Sequence, residues 1–250
     1  MAETVAAIHA EFTKVRGVRS TFVALLLFVP VSILVAALDG VSARSALDSH
    51  NPLLRVGFTA QQAGLDGVRY GQLALIVFGV LVVTSEYGSG MMRTSLIAVP
   101  RRGRLYAAKT IVAAAATAVL AIPVTVVGYL VTQLALGPHG VSIGAAGVPG
   151  ALVGAMAYLT LMCLFAAGVA AIARSAVLPL AVLLPMVLAG SHLLSLFGAT
   201  KEVARYFPDQ AGAQMLTVGS HQAGSGFAVL FAWTVAALAC GLLRHSRWDG

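Results

Sequence analysis

Long apolar runs separated by short polar segments dominate this chain, and their spacing predicts helices that cross a membrane. A membrane-spanning helix needs about 20 consecutive, predominantly apolar residues. Runs of this kind occupy six stretches, at about 21–38, 70–84, 110–136, 148–173, 176–198 and 224–243. The pattern therefore predicts an all-α fold: a polytopic membrane protein with six transmembrane helices in a single domain over residues 1–250.

Composition supports the same class. Hydrophobic residues make up 59% of the chain, charged residues make up 10%, and the mean hydropathy is +0.90. Soluble domains carry about 25% charged residues, so little of this sequence is left for a soluble domain. Cys163 and Cys240 both fall within apolar runs. Neither a disulfide between them nor a cysteine metal site is expected.

The first 20 residues form a polar segment that predicts an amphipathic helix lying in the membrane interface. Apolar residues recur there at helical spacing, with ionisable residues between them: Ile8, Phe12, Val15 and Phe22 against Glu11, Lys14, Arg16 and Arg19. Helices with one apolar face and one basic face lie in the interface plane. A helix end with basic flanks is the simpler interpretation of the same residues, and the two interpretations are compatible with each other.

Segment 85–109 is an island of charge between the second and third spans. Its ionisable residues are Glu86, Arg93, Arg101, Arg102, Arg104 and Lys109. Each Arg or Lys at the bilayer centre costs roughly 2.5–3.5 kcal/mol on insertion scales, so the segment must lie outside the hydrocarbon. Met92, Leu96 and Val99 fall on one helical face, which predicts a short amphipathic helix. Pro100 should end that helix before a basic turn over residues 101–104.

Turn signals divide the remaining apolar sequence. Gly137-Pro138-His139-Gly140 is the expected break between the third and fourth spans, and Arg174-Ser175 is a short polar turn before the fifth. Segments 39–69 and 201–223 are predicted to be loops of mixed charge. Pro123 should kink the third span, because its ring cannot continue the hydrogen-bond ladder of a helix.

Basic residues are distributed unequally between the two sides of the predicted membrane domain. Eleven of the 16 Lys and Arg residues lie on the side that holds both termini and segment 85–109. Because cytoplasmic loops are enriched in Lys and Arg, we expect a multi-pass protein of the cell membrane with both termini cytoplasmic. The basic pI then follows from topology, and no nucleic-acid partner is expected.

Enzymatic function has weak support in the sequence. Gly103–Thr110 reads GRLYAAKT, but Ala108 stands where a phosphate-binding loop needs glycine. A rhomboid-like intramembrane serine hydrolase is an alternative interpretation. Its candidate residues are Ser191, His192, Ser220, His221 and Ser225. Adjacent helical residues diverge by about 100°, so Ser191 and His192 form a poor dyad. We expect no catalytic residue, bound cofactor or metal in this chain.

A transport role fits the sequence better than the hydrolase, and a non-transporting membrane anchor or sensor is a third possibility. Among ionisable residues only His192 lies within a predicted span. Ion-coupled carriers normally place Asp, Glu or His at mid-membrane. The energy for transport would therefore come from a partner, and segment 85–109 offers a surface on which such a partner could dock.

Four parts of the chain carry, in order, motifs that match one known family. The first cytoplasmic loop contributes Glu86-Tyr87, Gly90, Arg93-Thr94, Leu96, Pro100-Arg101-Arg102 and Ala108-Lys109. The other parts are Glu11–Arg16 with Arg19-Ser20, Phe207-Pro208 with Ala211-Gly212, and Arg247-Trp248-Asp249. Together these residues resemble the membrane subunits of type-2 ABC exporters, especially short actinobacterial ones. Met91 departs from the family pattern, which usually has threonine after the glycine.

The resemblance implies a six-helix permease that forms the translocation path as a homodimer or heterodimer. It implies partner ABC ATPase subunits in the cytoplasm, with ATP-Mg bound by those subunits. The residues that it implies for ATPase coupling are Glu86, Tyr87, Gly90, Arg93, Thr94, Leu96, Pro100, Arg101, Arg102 and Lys109. Those of the interfacial helix are Glu11, Lys14, Arg16 and Arg19. An apolar path would suit drugs, peptides or lipids alike.

Overall fold

In a computed structural model, described over residues 2–49, 58–89 and 102–246, the chain is built from helices. In chain order they are α1 (Ala2–Gly17), α2 (Arg19–Asp48), α3 (Ala60–Asp66), α4 (Val68–Ser89), α5 (Arg102–Leu136), α6 (Val148–Ala173), α7 (Val177–Pro185), α8 (Ser191–Leu196), α9 (Gly198–Ala204), α10 (Pro208–Ala213) and α11 (Ala223–Ser246). Short 3-10 helices occupy Gly137–His139 and Gln214–Leu216. A π-helical turn occupies Met186–Gly190.

Within the described ranges, five helical stretches are long and apolar enough to cross a membrane. They are Arg19–Asp48, Ala60–Ser85, Gly103–His139, Val148–Ala173 and Ala223–Arg244. The prediction of an all-helical chain with several membrane-spanning helices is therefore confirmed. The fifth predicted span, 176–198, is not one continuous α-helix, because it is divided into α7, the π-helical turn and α8.

Helix α6 is the centre of the bundle. It packs against α4, α5 and α11, and α2 packs against α4 and α5. Its bounds match the predicted span residue for residue, because both ends have a left-handed residue that the helix cannot pass. Gly147 has a φ of 83° before the first turn, and Arg174 has a φ of 53° after the last.

Two helices are longer than predicted. Helix α2 continues to Asp48, so the first ten residues of the predicted loop 39–69 are helical. Helix α5 begins at Arg102, so the predicted basic turn over 101–104 is wrong for residues 102–104. The sequence from Arg102 to Lys109 is rich in Arg, Leu, Ala and Lys, which all favour a helix. Helix α5 also continues through Pro123.

The division of segment 176–198 has a local cause. Pro185 ends α7, and a proline inside a helix removes one backbone donor and clashes with the carbonyl four residues earlier. The π-helical turn begins at the next residue and ends at Gly190. Pro179, by contrast, lies in the first turn of α7, where backbone N–H groups have no partner within the helix.

The two ends of the bundle differ in character. We call the basic end the one with α1, the start of α5, and the ends of α6 and α11 at Arg174 and Arg244. The Arg174 guanidinium Nη2 donates to the Arg244 carbonyl at 2.5 Å. A Cβ built on Gly103, near the start of α5, would lie 3.7 Å from the Leu242 side chain of α11. The opposite end, which we call the loop end, holds α3, α8–α10 and segment 137–147.

Two glutamines join the segments at the loop end. Gln62 of α3 donates to the Leu216 carbonyl at 3.2 Å and accepts from the Val218 amide at 3.1 Å. Gln133 of α5 donates to the Ala60 carbonyl and accepts from the Val141 amide, both at 2.8 Å. Segments 39–69 and 201–223, predicted as loops, are partly helical. The hydrogen bonds of Gln62 connect the two segments.

Close backbone contacts hold α4 against α6. A Cβ built on Gly79 of α4 would lie 2.4 Å from the Cys163 carbonyl oxygen of α6. Small residues allow helices to approach this closely in a membrane. Replacing Gly79 by Ala should therefore force the two backbones apart and lower the unfolding temperature of the detergent-solubilised protein.

Gly150 is the matched control for this prediction. A Cβ at Gly150 would meet nothing within 4 Å, and Gly150 lies in the first turn of α6. Gly150→Ala should leave the unfolding temperature unchanged or raise it slightly, because alanine stabilises a helix by about 1 kcal/mol relative to glycine. Equal unfolding temperatures for the two variants would contradict close packing at Gly79.

Candidate functional site

Glu11 and Lys109 form a buried ion pair where α1 packs against α5. Lys109 Nζ lies 2.9 Å from Glu11 Oε2, and the two side chains are 2% and 4% exposed respectively. The other carboxylate oxygen, Oε1, accepts a hydrogen bond of 2.8 Å from Lys14 Nζ on α1. Each oxygen of one carboxylate is thus bound by a lysine, and one of those lysines belongs to a different helix.

The helix surfaces that meet here are apolar around the charges. Glu11 lies on a buried line of α1 with Ala7 and Val15, at spacings of four residues. The positions that flank Lys109 on its own face of α5 are also buried: Leu105, Tyr106, Val112 and Ala113. An apolar surround weakens screening and makes each charge depend on its partner. The pair therefore fixes how α1 sits on α5.

Four helices meet at this site. A small cavity of about 10 Å³ beside the pair is lined by residues of α1, α2, α4 and α5. Thr21 comes from the first turn of α2, and Val82 and Ser85 come from the last turns of α4. Ser85 directly precedes Glu86, so the ion pair lies close to the point where α4 leads into segment 90–101.

The predicted coupling residues fall into three groups. Gly90, Arg93, Thr94, Leu96, Pro100 and Arg101 lie outside the described residues, as does the predicted helix around Met92–Val99. The backbone of Glu86 and Tyr87 lies in the last turn of α4, and Arg102 begins α5. Lys109 is fully buried rather than on the surface. A partner docked on the surface could therefore not touch its side chain.

The N-terminal segment is helical, and its predicted position in the membrane interface stays a prediction. Within the bundle Val15 and Glu11 are buried, whereas Phe12 is 41% exposed. The Arg16 guanidinium lies over the Phe12 ring, 4.6 Å from its centroid. Arg19 falls in α2, because the extended backbone of Val18 separates the two helices.

The Glu11–Lys109 contact joins residues that the sequence placed in different groups. They are 98 positions apart, so local patterning cannot pair them. A signal is nevertheless present. Each of these opposite charges has mostly apolar residues three and four positions away along the chain, and a charge on such a helical face needs a partner when it is buried.

The serines of the alternative hydrolase interpretation lie near the loop end. Ser220 Oγ accepts from the Gln222 amide at 3.1 Å, and Ser225 Oγ donates to the Gln222 carbonyl at 2.9 Å. Both hydroxyls therefore help to form the start of α11. Ser191 and His192 begin α8, where the structure describes their backbone but not their side chains.

A second group of polar side chains is buried at the loop end. The Tyr158 hydroxyl of α6 donates to Gln72 Oε1 of α4, and Asp209 of α10 is only 5% exposed. The sequence placed Asp209 in an external loop and gave no sign of its burial. Among the described residues, no three His, Cys, Asp or Glu side chains are grouped as a metal site would need.

Comparison with known proteins adds no family. No protein-family model matches the chain, and a search of curated proteins finds no significant match.

Proposed function

We propose that this chain is the membrane-spanning permease subunit of an ATP-driven exporter of the type-2 ABC class. It works as a homodimer or heterodimer that forms the translocation path, in the cell membrane, with both termini cytoplasmic. Separate cytoplasmic ABC ATPases bind and hydrolyse ATP-Mg. The proposal starts from the motifs around Glu86–Lys109 and from the excess of basic residues at the basic end.

The buried contact between Glu11 and Lys109 is the observation that carries this proposal. Segment 90–101 leaves α4 just after the small cavity and re-enters at Arg102 of α5. Two turns later, Lys109 attaches α5 to α1. A partner that displaces this segment would therefore move α1 together with the start of α5, rather than the connecting segment alone.

Under this proposal the predicted residues have different roles. Glu86, Tyr87, Arg93, Thr94 and Arg101 belong to the segment that receives the ATPase. Lys109 and Glu11 transmit its displacement into the bundle. Lys14 holds the second oxygen of the Glu11 carboxylate, and Arg16 and Arg19 flank the same helix junction.

The first test is whether an ABC-class ATPase is encoded beside this chain and co-purifies with it. In reconstituted vesicles, Arg93→Glu should then reduce ATPase co-purification or substrate-stimulated ATP hydrolysis at least several-fold. The physical reason is that charge-assisted hydrogen bonds contribute about 1.5–3 kcal/mol, enough to change docking without unfolding the bundle. Membrane abundance should stay at the wild-type level.

Arg205→Glu is the matched control for Arg93→Glu. It makes the same charge reversal at the loop end, where Arg205 is exposed and pairs with Glu202 at 2.8 Å. It should leave ATPase binding and stimulation unchanged. Wild-type coupling in Arg93→Glu, or the absence of any associated ATPase, would overturn the proposal. Loss of a peptide-cleaving activity in Ser225→Ala would favour the hydrolase instead.

A further inference from the structure

A cavity of about 380 Å³ opens at the basic end, beside the C-terminal ends of α6 and α11. It is lined by Arg174, Cys240, Leu243 and Arg244. The membrane-spanning stretch of α6 ends at Ala173, and that of α11 ends at Arg244. Because both helices complete their spans here, the cavity lies at the depth of the lipid headgroups rather than within the hydrocarbon.

A hydrogen bond between the two helix ends holds this cavity in shape. Arg174 follows the last turn of α6 in the left-handed conformation, with a φ of 53°. Its Nη2 donates to the backbone carbonyl of Arg244 on α11. Arg174 is thus engaged within the protein, and we assign it only the role of holding the end of α11. The contact uses the backbone of Arg244 and not its guanidinium.

The Arg244 guanidinium is the group in this cavity that can receive an anion. Arg244 is exposed, and with the residues that the structure describes its side chain forms no salt bridge. None of the described residues that line the cavity is acidic. A guanidinium can donate two parallel hydrogen bonds to a phosphate or carboxylate. The cavity therefore favours a ligand with such an oxyanion.

An apolar surface continues from the cavity along α11 towards the middle of the span. Cys240, Ala236 and Trp233 are all exposed, and their spacings of four and three residues place them on one helix face. Leu243, at the cavity itself, is 57% exposed. Of the five spanning stretches in the described ranges, that of α11 is the least buried. An oxyanion bound at Arg244 would thus lie at the end of a surface that can contact an acyl chain.

We propose that this cavity binds the phosphate of an anionic phospholipid through Arg244, with an acyl chain along the face from Cys240 to Trp233. Basic pockets between membrane helices are suited to anionic headgroups. A zwitterionic phospholipid carries the same phosphate, but its cationic group would be repelled by the arginine. A soluble phosphate ester offers the charge without the acyl chain. Both should therefore bind more weakly than an anionic lipid.

Cys240 reports whether the cavity is occupied, because it is exposed there while Cys163 is buried. The purified full chain in nonionic detergent is treated with N-ethylmaleimide, and alkylation of Cys240 is followed by mass spectrometry. The probes are short-chain phosphatidylglycerol, short-chain phosphatidylcholine and free glycerol phosphate. Phosphatidylglycerol should slow alkylation saturably. The other two should need a concentration about ten-fold higher, or more, for half of the protection, which corresponds to about 1.4 kcal/mol.

Arg244→Gln should raise the phosphatidylglycerol concentration for half-protection by about ten-fold or more, because charge-assisted hydrogen bonds to the phosphate are lost. This variant keeps the backbone carbonyl that Arg174 binds. Arg244→Lys should retain part of the protection, since it keeps the charge but not the paired donors. Arg205→Gln removes an exposed arginine at the loop end and should behave like wild type.

Ala236→Trp tests the acyl chain separately, because it fills the apolar face and leaves both arginines in place. It too should weaken protection by phosphatidylglycerol. Equal protection by phosphatidylcholine would overturn the preference for an anion, and equal protection by glycerol phosphate would overturn a lipid as the ligand. Wild-type protection in both Arg244→Gln and Ala236→Trp would overturn the site.

This binding requires neither an ATPase nor export. Its failure would therefore leave the exporter proposal standing. Loss of ATPase coupling in Arg93→Glu with intact protection of Cys240 by phosphatidylglycerol would separate the two proposals in the same way.

Discussion

Replacing Glu11 by Leu should lower the free energy of unfolding by about 3–5 kcal/mol, because it removes the carboxylate bound to a fully buried lysine. Lys109→Met should cost less, since Lys14 still binds the remaining carboxylate and is itself partly exposed. The double replacement Glu11→Leu with Lys109→Met should recover most of the loss. Apolar residues often substitute for a buried ion pair without destabilising the fold.

Reversible unfolding by SDS in mixed micelles would measure these differences. The matched control is Glu202→Leu at an exposed site. It breaks an i,i+3 pair with Arg205 whose N–O distance of 2.8 Å equals that of Lys14 and Glu11. Exposed pairs contribute about 0–1 kcal/mol, so this variant should differ little from wild type. Additive losses in the Glu11 and Lys109 double variant would contradict a direct interaction between the two charges.

Replacing Gln133 by Leu should loosen the loop end. Gln133 is 8% exposed, and its amide satisfies both the Ala60 carbonyl and the Val141 amide. Leaving a buried backbone group without a partner costs about 1–3 kcal/mol. Two such groups would cost about 2–6 kcal/mol if fully buried. Because both bonds are only partly buried, we expect a loss of about 2–3 kcal/mol, with faster hydrogen exchange at the Val141 amide.

Gln133→Glu separates the two halves of this interaction. A carboxylate still accepts from the Val141 amide but cannot donate to the Ala60 carbonyl, so protection of Val141 should survive while stability falls. The exposed Gln222 provides the control, since Gln222→Leu should change neither quantity. Wild-type exchange at Val141 in Gln133→Leu would show that segment 137–147 is held by other contacts.

Apolar run length and turn chemistry predicted the fold well where the chain is locally determined. Helix α6 has both bounds as expected, and residues with positive φ, Gly147 and Arg174, flank its two ends. Hydrophobicity alone did not locate the end of α2 at Asp48 or the start of α5 at Arg102. Both helices continue beyond their apolar runs, because polar residues can also be helical. Pro185 was visible in the sequence, but its effect on segment 176–198 depends on how the chain repacks around it.

Only part of the candidate site could be predicted. The sequence identified Glu11 and Lys109 as members of two charged segments, and both side chains were predicted to lie on the surface. Their burial depends on the packing of α1 on α5, which no short window of sequence contains. Asp209 shows the same limit, because its burial arises only when α10 folds back against α6 and α11.

The π-helical turn at Met186–Gly190 changes the phase of the segment that contains it. Such a turn usually acts as one inserted residue, and each residue of an α-helix advances by about 100°. A helical wheel drawn through Val177–Leu196 as one α-helix would therefore assign the residues of α8 to the wrong sector. Side-chain accessibility, measured by a residue-by-residue cysteine scan, would therefore show helical periodicity on both sides of the turn, with the phase shifted at Gly190. Deleting one residue from the turn would act on α8 as a rotation rather than as a shortening.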